Sequence, residues 1–150
     1  MKSRAQIAVD YYVKSGYNCS QAIAVTYADL LDLDPMTCFK GMEAFGCGMG
    51  GMSGTCGAVS GAVYLCGFIA STGNMDDDRK NKSKQESYAM SKRLTNAFME
   101  KNKTITCQDM KGPSAPHFHS CLDCIADAAI LVEEQIFPGQ FEASDYYDKK

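Results

Sequence analysis

Residues 55–72 read TCGAVSGAVYLCGFIAST, an uncharged run that decides the fold. The helix predicted by this run is apolar on every side, which is typical of a helix packed inside a bundle. Its length is close to that of a membrane span, but Gly57, Gly61 and Gly67 interrupt the run and hydroxyl side chains dilute it. We therefore predict a buried central helix and no membrane association.

The rest of the chain also predicts helices, because its periodicity is helical and no sustained alternation of apolar and polar residues indicates a strand. These helices are expected over residues 3–14, 18–31, 34–45, 76–101 and 120–136. Asn18, Asp34 and Ser120 are suitable N-caps, and Gly16 is a suitable end for the first helix. A glycine-rich loop over residues 46–54 precedes the central helix. The predicted fold class is all-α, a single-domain bundle of about six helices.

The domain boundary follows from the end of the last helix. Residues 1–137 are predicted to form one helical domain, and the polar residues 138–150 a loose C-terminal tail. On the long polar helix, five side chains recur at helical spacing: Tyr88, Ser91, Leu94, Thr95 and Phe98. We expect these five side chains to face the core.

Composition excludes several classes of function. The chain has 150 residues and a net charge of −3, so it lacks the basic surface that binds nucleic acids or anionic membranes. A domain of this size can bury an adequate core without disulfides, so its eight cysteines need an explanation other than stability. Because no signal peptide is recognisable, we expect a cytoplasmic protein with catalytic or metal-binding cysteines. The redox partner protein stays unknown, and the glycine-rich surface is compatible with a homodimer.

Three cysteines are predicted at helix starts. Cys19 follows the Asn18 cap, Cys56 lies in the first turn of the central helix, and Cys121 follows Ser120. A helix N-terminus presents free N–H groups and about half a positive charge, both of which favour a thiolate over a thiol. Because the thiolate attacks disulfides and also binds metals, the arrangement suits either chemistry.

A CxxC motif lies on the last helix, at Cys121 and Cys124. The i,i+3 spacing places both sulfurs on one face, roughly 5–6 Å apart, within reach of a disulfide or a shared metal ion. The alternative is that both residues belong to the core stripe of an amphipathic helix, since cysteine is a small hydrophobic residue.

The remaining four cysteines have less informative surroundings. Cys38 and Cys66 lie inside predicted helices, where packing in the core is the preferred interpretation. Cys47 lies in the glycine-rich loop, where backbone N–H groups can surround a sulfur atom. Cys107 lies in an irregular segment from which a flexible loop can bring one thiol to another.

Other motifs argue against familiar cofactors. Gly46, Gly48 and Gly51 satisfy GxGxxG, but a helix rather than a strand precedes them, so NAD binding is not expected. Isoleucine follows the CxxC where a c-type haem site needs histidine. His117 and His119 precede the CxxC, but the second ligand pair of a closed zinc site is missing, so two incidental loop histidines are preferred.

Five pieces of the chain occur in a recognisable order. They are GYNCSQA at 16–22, FGCGMG at 45–50, TCGAVSG at 55–61, Cys107 and Cys121. Together they resemble the redox-active protein family named for its cysteine signature, C_GCAxxG_C_C. The resemblance covers about residues 5–135, and the family is typical of anaerobic bacteria and archaea.

This resemblance implies a set of functional residues. The family's four cysteines would be Cys19, Cys56, Cys107 and Cys121, and its small motif residues would be Gly57, Ala58 and Gly61. Two positions depart from the signature. The order here is Cys56-Gly57-Ala58 where the signature has Gly-Cys-Ala, and Cys47 stands where a glycine is expected.

Two hypotheses follow. In the first, the four signature cysteines, with Cys124 as an additional catalytic thiol, act in a thiol-dependent oxidoreductase or electron carrier. They would either cycle between thiol and disulfide or bind an iron–sulfur cluster, which Gly57, Ala58, Gly61 and Cys47 would line. In the second, the protein is a non-catalytic helical binding module whose cysteines hold a structural metal such as zinc.

Overall fold

The computed structural model describes residues 1–76, 82–113, 115 and 119–150, without the side chain of Lys82. The helices are α1 Ala5–Ser15, α2 Cys19–Tyr27, α3 Pro35–Met42, α4 Gly46–Met49, α5 Gly57–Ala70, α6 Lys82–Asn102, α7 Cys107–Lys111 and α8 Cys121–Gln135. Short 3-10 helices span Ala28–Leu31, Glu43–Phe45 and Tyr147–Lys149. Across these ranges the β structure is one isolated bridge, Thr55 with Thr106, so the all-α prediction is confirmed.

Local capping signals define the helix ends as predicted. Asn18 and Gln21 form a reciprocal capping box at the start of α2, and Asp34 accepts a hydrogen bond from the Thr37 amide at the start of α3. Ser120 accepts a bond from the amide of Asp123 and so caps α8. Such caps satisfy backbone donors that a helix start leaves unpaired.

The central helix is α5, which packs against α2, α6 and α8. A Cβ atom on Gly61 would lie 2.8 Å from the Ser20 carbonyl oxygen, so the close crossing of α2 and α5 requires glycine there. The buried core around this crossing includes Ile23, Leu65 and Phe98. Phe68 and Ile69, at the end of α5, are 46% and 41% exposed, so the helix is not buried on all sides over its whole length.

The glycine-rich segment is fixed by backbone hydrogen bonds. Gly54 accepts a bond from the Cys107 amide at 3.0 Å, and Met52 accepts one from the Gln108 amide at 2.8 Å. The Cys56 amide donates to the carbonyl oxygen of Ile105 at 2.6 Å. These bonds hold the segment before α5 against the start of α7, which places Cys107 beside the start of the central helix.

Three details differ from the sequence-based expectations. The irregular segment contains the short helix α7, and the predicted second helix stops at Tyr27 before continuing as a 3-10 turn. Tyr88 is 70% exposed, so its predicted place in the core is wrong, whereas Leu94 and Phe98 are fully buried as expected. The predicted start of the long helix over residues 77–81 and His117 lie outside the described residues.

The C-terminal tail packs on the domain, in contrast to the loose tail expected from its polarity. Tyr146 is 5% exposed, and Tyr147 donates a hydrogen bond to Asp127 on α8 at 2.5 Å. The amide of Glu142 donates to the carbonyl oxygen of Met1 at 2.7 Å. Aromatic side chains and backbone pairing therefore hold a segment whose composition suggested mobility.

Within the described residues, no helix combines the length and the apolar character that crossing a membrane requires.

Candidate functional site

Six of the eight cysteines lie in one region, where α2, α5, α7 and α8 begin. Their mutual electrostatic interactions show the grouping: Cys19 interacts with Cys56 and Cys121, and Cys107 with Cys47 and Cys56. Cys124 interacts with both Cys56 and Cys121. We call this group the cysteine cluster, and its members are Cys19, Cys47, Cys56, Cys107, Cys121 and Cys124.

Cys56 is the N-cap residue of α5, one position before the first turn in which it was predicted, and is 5% exposed. A hydrogen bond with the Cys124 thiol is the largest of the effects that lower the pKa of Cys56 to about 7. The backbone N–H groups of Ala58 and Val59 lower this pKa further, and together these donors outweigh the opposing effect of burial. The thiolate of Cys56 is therefore stabilised at the start of the central helix.

Cys124 is the partner of Cys56 and is 1% exposed. Its pKa is strongly raised, first by the hydrogen bond with Cys56 and then by burial. Its sulfur also lies 3.6 Å from the Met110 sulfur, a much weaker acceptor than a thiolate. The interaction between the two cysteines therefore favours the thiolate form of Cys56 and the thiol form of Cys124.

Cys19 is the first residue of α2 and lies against the start of α5. Burial raises its pKa most, the charge of Cys56 raises it further, and the backbone N–H of Cys47 acts in the opposite direction. A Cβ atom on Gly57 would lie 2.5 Å from the Cys19 sulfur. The glycine after Cys56 therefore allows this close approach.

Cys107 is the first residue of α7 and is 3% exposed. Burial raises the pKa of its thiol to about 11. A Cβ atom on Gly48 would lie 2.4 Å from the Cys107 Cβ. The glycine-rich segment thus covers Cys107 closely, and its thiol stays protonated at neutral pH.

Cys121 begins α8 and is partly exposed, unlike its CxxC partner Cys124. A hydrogen bond with Cys121 raises the pKa of Lys111 and also raises that of Tyr12 to about 12. Neither Lys111 nor Tyr12 was predicted from the sequence. Lys111 follows Cys107 by four positions, which places both side chains on one face of a helix. This spacing is the signal that could have identified Lys111.

The other candidate residues have structural roles in the fold. Cys38 is fully buried in a small cluster with Ala24, Ala28 and Met42, and Cys66 is 1% exposed in the main core. Their predicted place in the core agrees with these positions. Gly57, Ala58 and Gly61, expected to line a cofactor, lie in the first turns of α5, directly after its N-cap residue Cys56. There Gly57 and Gly61 allow the close packing of α5 against α2. Cys47, expected to line the same cofactor, is exposed on the glycine-rich segment.

A metal centre requires three or four ligands around one point. Within the described ranges, no three or more cysteine, histidine, aspartate or glutamate side chains are arranged to hold a metal ion. The structure does not assemble as ligands the predicted set Cys19, Cys56, Cys107 and Cys121. Binding of an iron–sulfur cluster or of zinc therefore stays a prediction from the sequence.

Comparison with known proteins gives one match. The sequence profile of the family described as "Putative redox-active protein (C_GCAxxG_C_C)" matches residues 17–135. No curated protein and no solved structure matches the chain significantly. The matched range contains all eight cysteines and most of the helical bundle. The chain belongs to the C_GCAxxG_C_C family of redox-active proteins.

Proposed function

We propose that the protein is a thiol–disulfide redox protein whose working dithiol is Cys56 and Cys124. The observation that carries this proposal is the pairing of Cys56, the N-cap residue of α5 with a lowered pKa, with the Cys124 thiol of α8, whose pKa is raised. Thiol–disulfide exchange needs such a pair, in which one sulfur attacks and the other holds the proton until it is needed.

The reaction balances with an external disulfide as the oxidant. The Cys56 thiolate attacks a sulfur atom that is already part of a disulfide, a new S–S bond forms, and the displaced sulfur leaves as a thiolate. Over the whole cycle, Cys56 and Cys124 form one disulfide and the oxidant R–S–S–R becomes two thiols. Two electrons and the proton of Cys124 pass from the protein to the oxidant, the second proton comes from the solvent, and the reverse reaction reduces the protein again.

The surroundings of the pair support this use. A thiol with a pKa near the ambient pH combines a large thiolate fraction with good nucleophilicity. The helix N-terminus also stabilises the thiolate as a leaving group, so the disulfide is reducible. A reducing compartment such as the cytoplasm would regenerate the dithiol, and this fits a protein with free cysteines.

Disulfide mapping tests the proposal. The reduced protein is treated with increasing amounts of bis(2-hydroxyethyl) disulfide, quenched with acid, alkylated and digested, and linked peptides are identified by mass spectrometry. The first intramolecular disulfide should join Cys56 to Cys124. Cys56→Ser and Cys124→Ser should each abolish it.

Cys66→Ser is the matched control, because Cys66 is also buried on α5 but lies away from the cluster. This variant should form the disulfide at the wild-type rate. A first disulfide between other cysteines would refute the assignment of the pair. A protein that forms no disulfide with excess oxidant would refute the redox function itself.

A further inference from the structure

The buried position of the working pair raises the question of how an external disulfide reaches it. Cys56 and Cys124 are 5% and 1% exposed, so neither sulfur is open to solvent. Cys121 lies one helical turn from Cys124 on α8, and the two interact electrostatically. It is partly exposed, so it offers a connection from the surface to the buried pair.

Cys121 lies in a surface groove of about 520 Å³. The groove is lined by Tyr12, Val13, Lys111, His119, Ser120, Cys121 and Leu122. The described lining includes a lysine and no carboxylate. The first turn of α8, a helix of 15 residues, adds the positive end of its dipole. The groove is therefore electrically suited to an anion.

Two polar side chains lie beside Cys121 in this groove. They are Lys111 and Tyr12, and interaction with the Cys121 sulfur raises the pKa of both. A cation next to the sulfur favours attack by a thiolate, and the same cation can bind a negative group on the incoming molecule.

We propose that Cys121 is the entry thiol of the protein and that the Lys111 groove selects small anionic disulfides, such as those that carry carboxylates near the sulfur atoms. This proposal rests on the redox function of Cys56 and Cys124, for which it names the substrate class. The acidic groups of the substrate bind beside Lys111, which brings the disulfide onto Cys121.

The relay proceeds in three balanced steps. The Cys121 thiolate attacks R–S–S–R, forms a mixed disulfide and releases one RS⁻. Cys124 transfers its proton to this leaving thiolate and attacks the Cys121 sulfur, which releases the second RS⁻ and forms a Cys121–Cys124 disulfide. The Cys56 thiolate then attacks the Cys124 sulfur, which forms the Cys56–Cys124 disulfide and returns Cys121 as a thiolate.

Charge selectivity tests the groove. Three disulfides of similar length are compared at pH 8: anionic 3,3′-dithiodipropionate, neutral bis(2-hydroxyethyl) disulfide and cationic cystamine. The rate of adduct formation is measured by mass spectrometry in a Cys47→Ser/Cys124→Ser variant, where the other exposed thiol and the resolving thiol are absent. Each rate is divided by that of a small free thiol, which corrects for the different leaving groups.

The anionic reagent should react with Cys121 about tenfold faster than the cationic one, as expected for a focused local charge, and added salt should reduce the difference. With Lys111→Gln the ratio should fall to within about threefold of one, and with Lys111→Glu it should reverse. Lys92→Gln removes an exposed lysine on α6 and should leave the ratio unchanged. Circular dichroism and thermal melting verify that each variant is folded.

The outcomes separate this proposal from the proposed function. A ratio near one, a ratio that survives Lys111→Gln, or an adduct on a cysteine other than Cys121 would overturn the entry site. If the Cys56–Cys124 disulfide still formed with the neutral reagent, the proposed redox function would stand without the entry site. If Cys121 were labelled charge-selectively but the buried pair never oxidised, the redox function would be refuted. The proposal that Cys121 is an anion-selective thiol would stand.

Discussion

The start and the interior of α5 carry two buried cysteines with opposite chemistry. Cys56 caps the start of the helix and Cys66 lies well inside it, and both are 5% exposed or less. The pKa of Cys56 is lowered to about 7, whereas burial raises the pKa of Cys66 to about 11. Burial alone therefore does not decide whether a thiol in this fold is reactive.

The difference lies in the available hydrogen-bond donors. At the start of α5, the amides of Ala58 and Val59 and the thiol of Cys124 all stabilise a negative sulfur. In the helix interior the amides are already bonded within the helix, and the Cys66 sulfur lies 3.5 Å from the carbonyl oxygen of Ala62. Burial therefore keeps Cys66 protonated, since no comparable set of donors stabilises a thiolate in the helix interior.

The largest expected effect is the difference in alkylation rate between Cys56 and Cys66 at pH 7. At this pH, about half of Cys56 and about one part in 10⁴ of Cys66 should be thiolate. Because the intrinsic nucleophilicity of a thiolate falls as its pKa falls, we expect Cys56 to react about 100 times faster than Cys66. Competitive alkylation by iodoacetamide with peptide mass spectrometry measures it, and the pH profile of Cys56 should have its midpoint near 7.

The same labelling in concentrated guanidinium chloride is the control, because both sites should then react alike. Equal rates in the native protein would contradict the distinction between the start and the interior of the helix.

The glycine at the start of α5 and the glycine in its interior should differ next in their effect on stability. Gly57→Ala would place a Cβ atom 2.5 Å from the Cys19 sulfur and 3.2 Å from Gly46 Cα, so it should destabilise the fold by about 1–3 kcal/mol. Gly67→Ala meets no atom within 4 Å and should stabilise the helix by about 0.5–1 kcal/mol. Urea unfolding measures both values. Similar destabilisation by the two variants would show that the start of α5 is not closely packed against α2.

The smallest expected effect is a shift in the alkylation midpoint of Cys56 when its partner Cys124 is replaced. Cys124→Ala removes the largest cause of the lowered pKa of Cys56, so the midpoint of its alkylation profile should move upward by about one pH unit. Cys66→Ala should leave this midpoint unchanged. An unchanged midpoint in Cys124→Ala would mean that the amides of Ala58 and Val59 stabilise the thiolate without help from Cys124.

Local sequence signals predicted much of the fold. Asn18, Asp34, Ser120 and Gly16 mark helix ends through bonds within a few residues, so they can be recognised without knowledge of the packing. The all-α class followed from helical periodicity in the same way. Tyr88 was misplaced because spacing along a helix does not show which of its turns the neighbouring helices cover.

The candidate site could be predicted only in part. The helix starts identified Cys19, Cys56 and Cys121, but the pairing of Cys56 with Cys124 depends on how α5 packs against α8. The contact of Lys111 with Cys121 likewise depends on α7, a helix of five residues that its irregular surroundings concealed. Contacts between distant segments are set by tertiary packing and leave no periodic signal.

The backbone bonds between the glycine-rich segment and α7 have a consequence for hydrogen exchange. The amides of Cys56, Cys107 and Gln108 donate bonds across this connection, and the amide of Gly54 donates to Gly48 within the glycine-rich segment. Although glycine-rich sequence suggests a mobile linker, these protons should exchange slowly and at similar rates, as members of one cooperative opening unit. Opening of that unit would expose Cys56 and Cys107 together, so buried thiols at distant positions in the chain would become accessible in a single event.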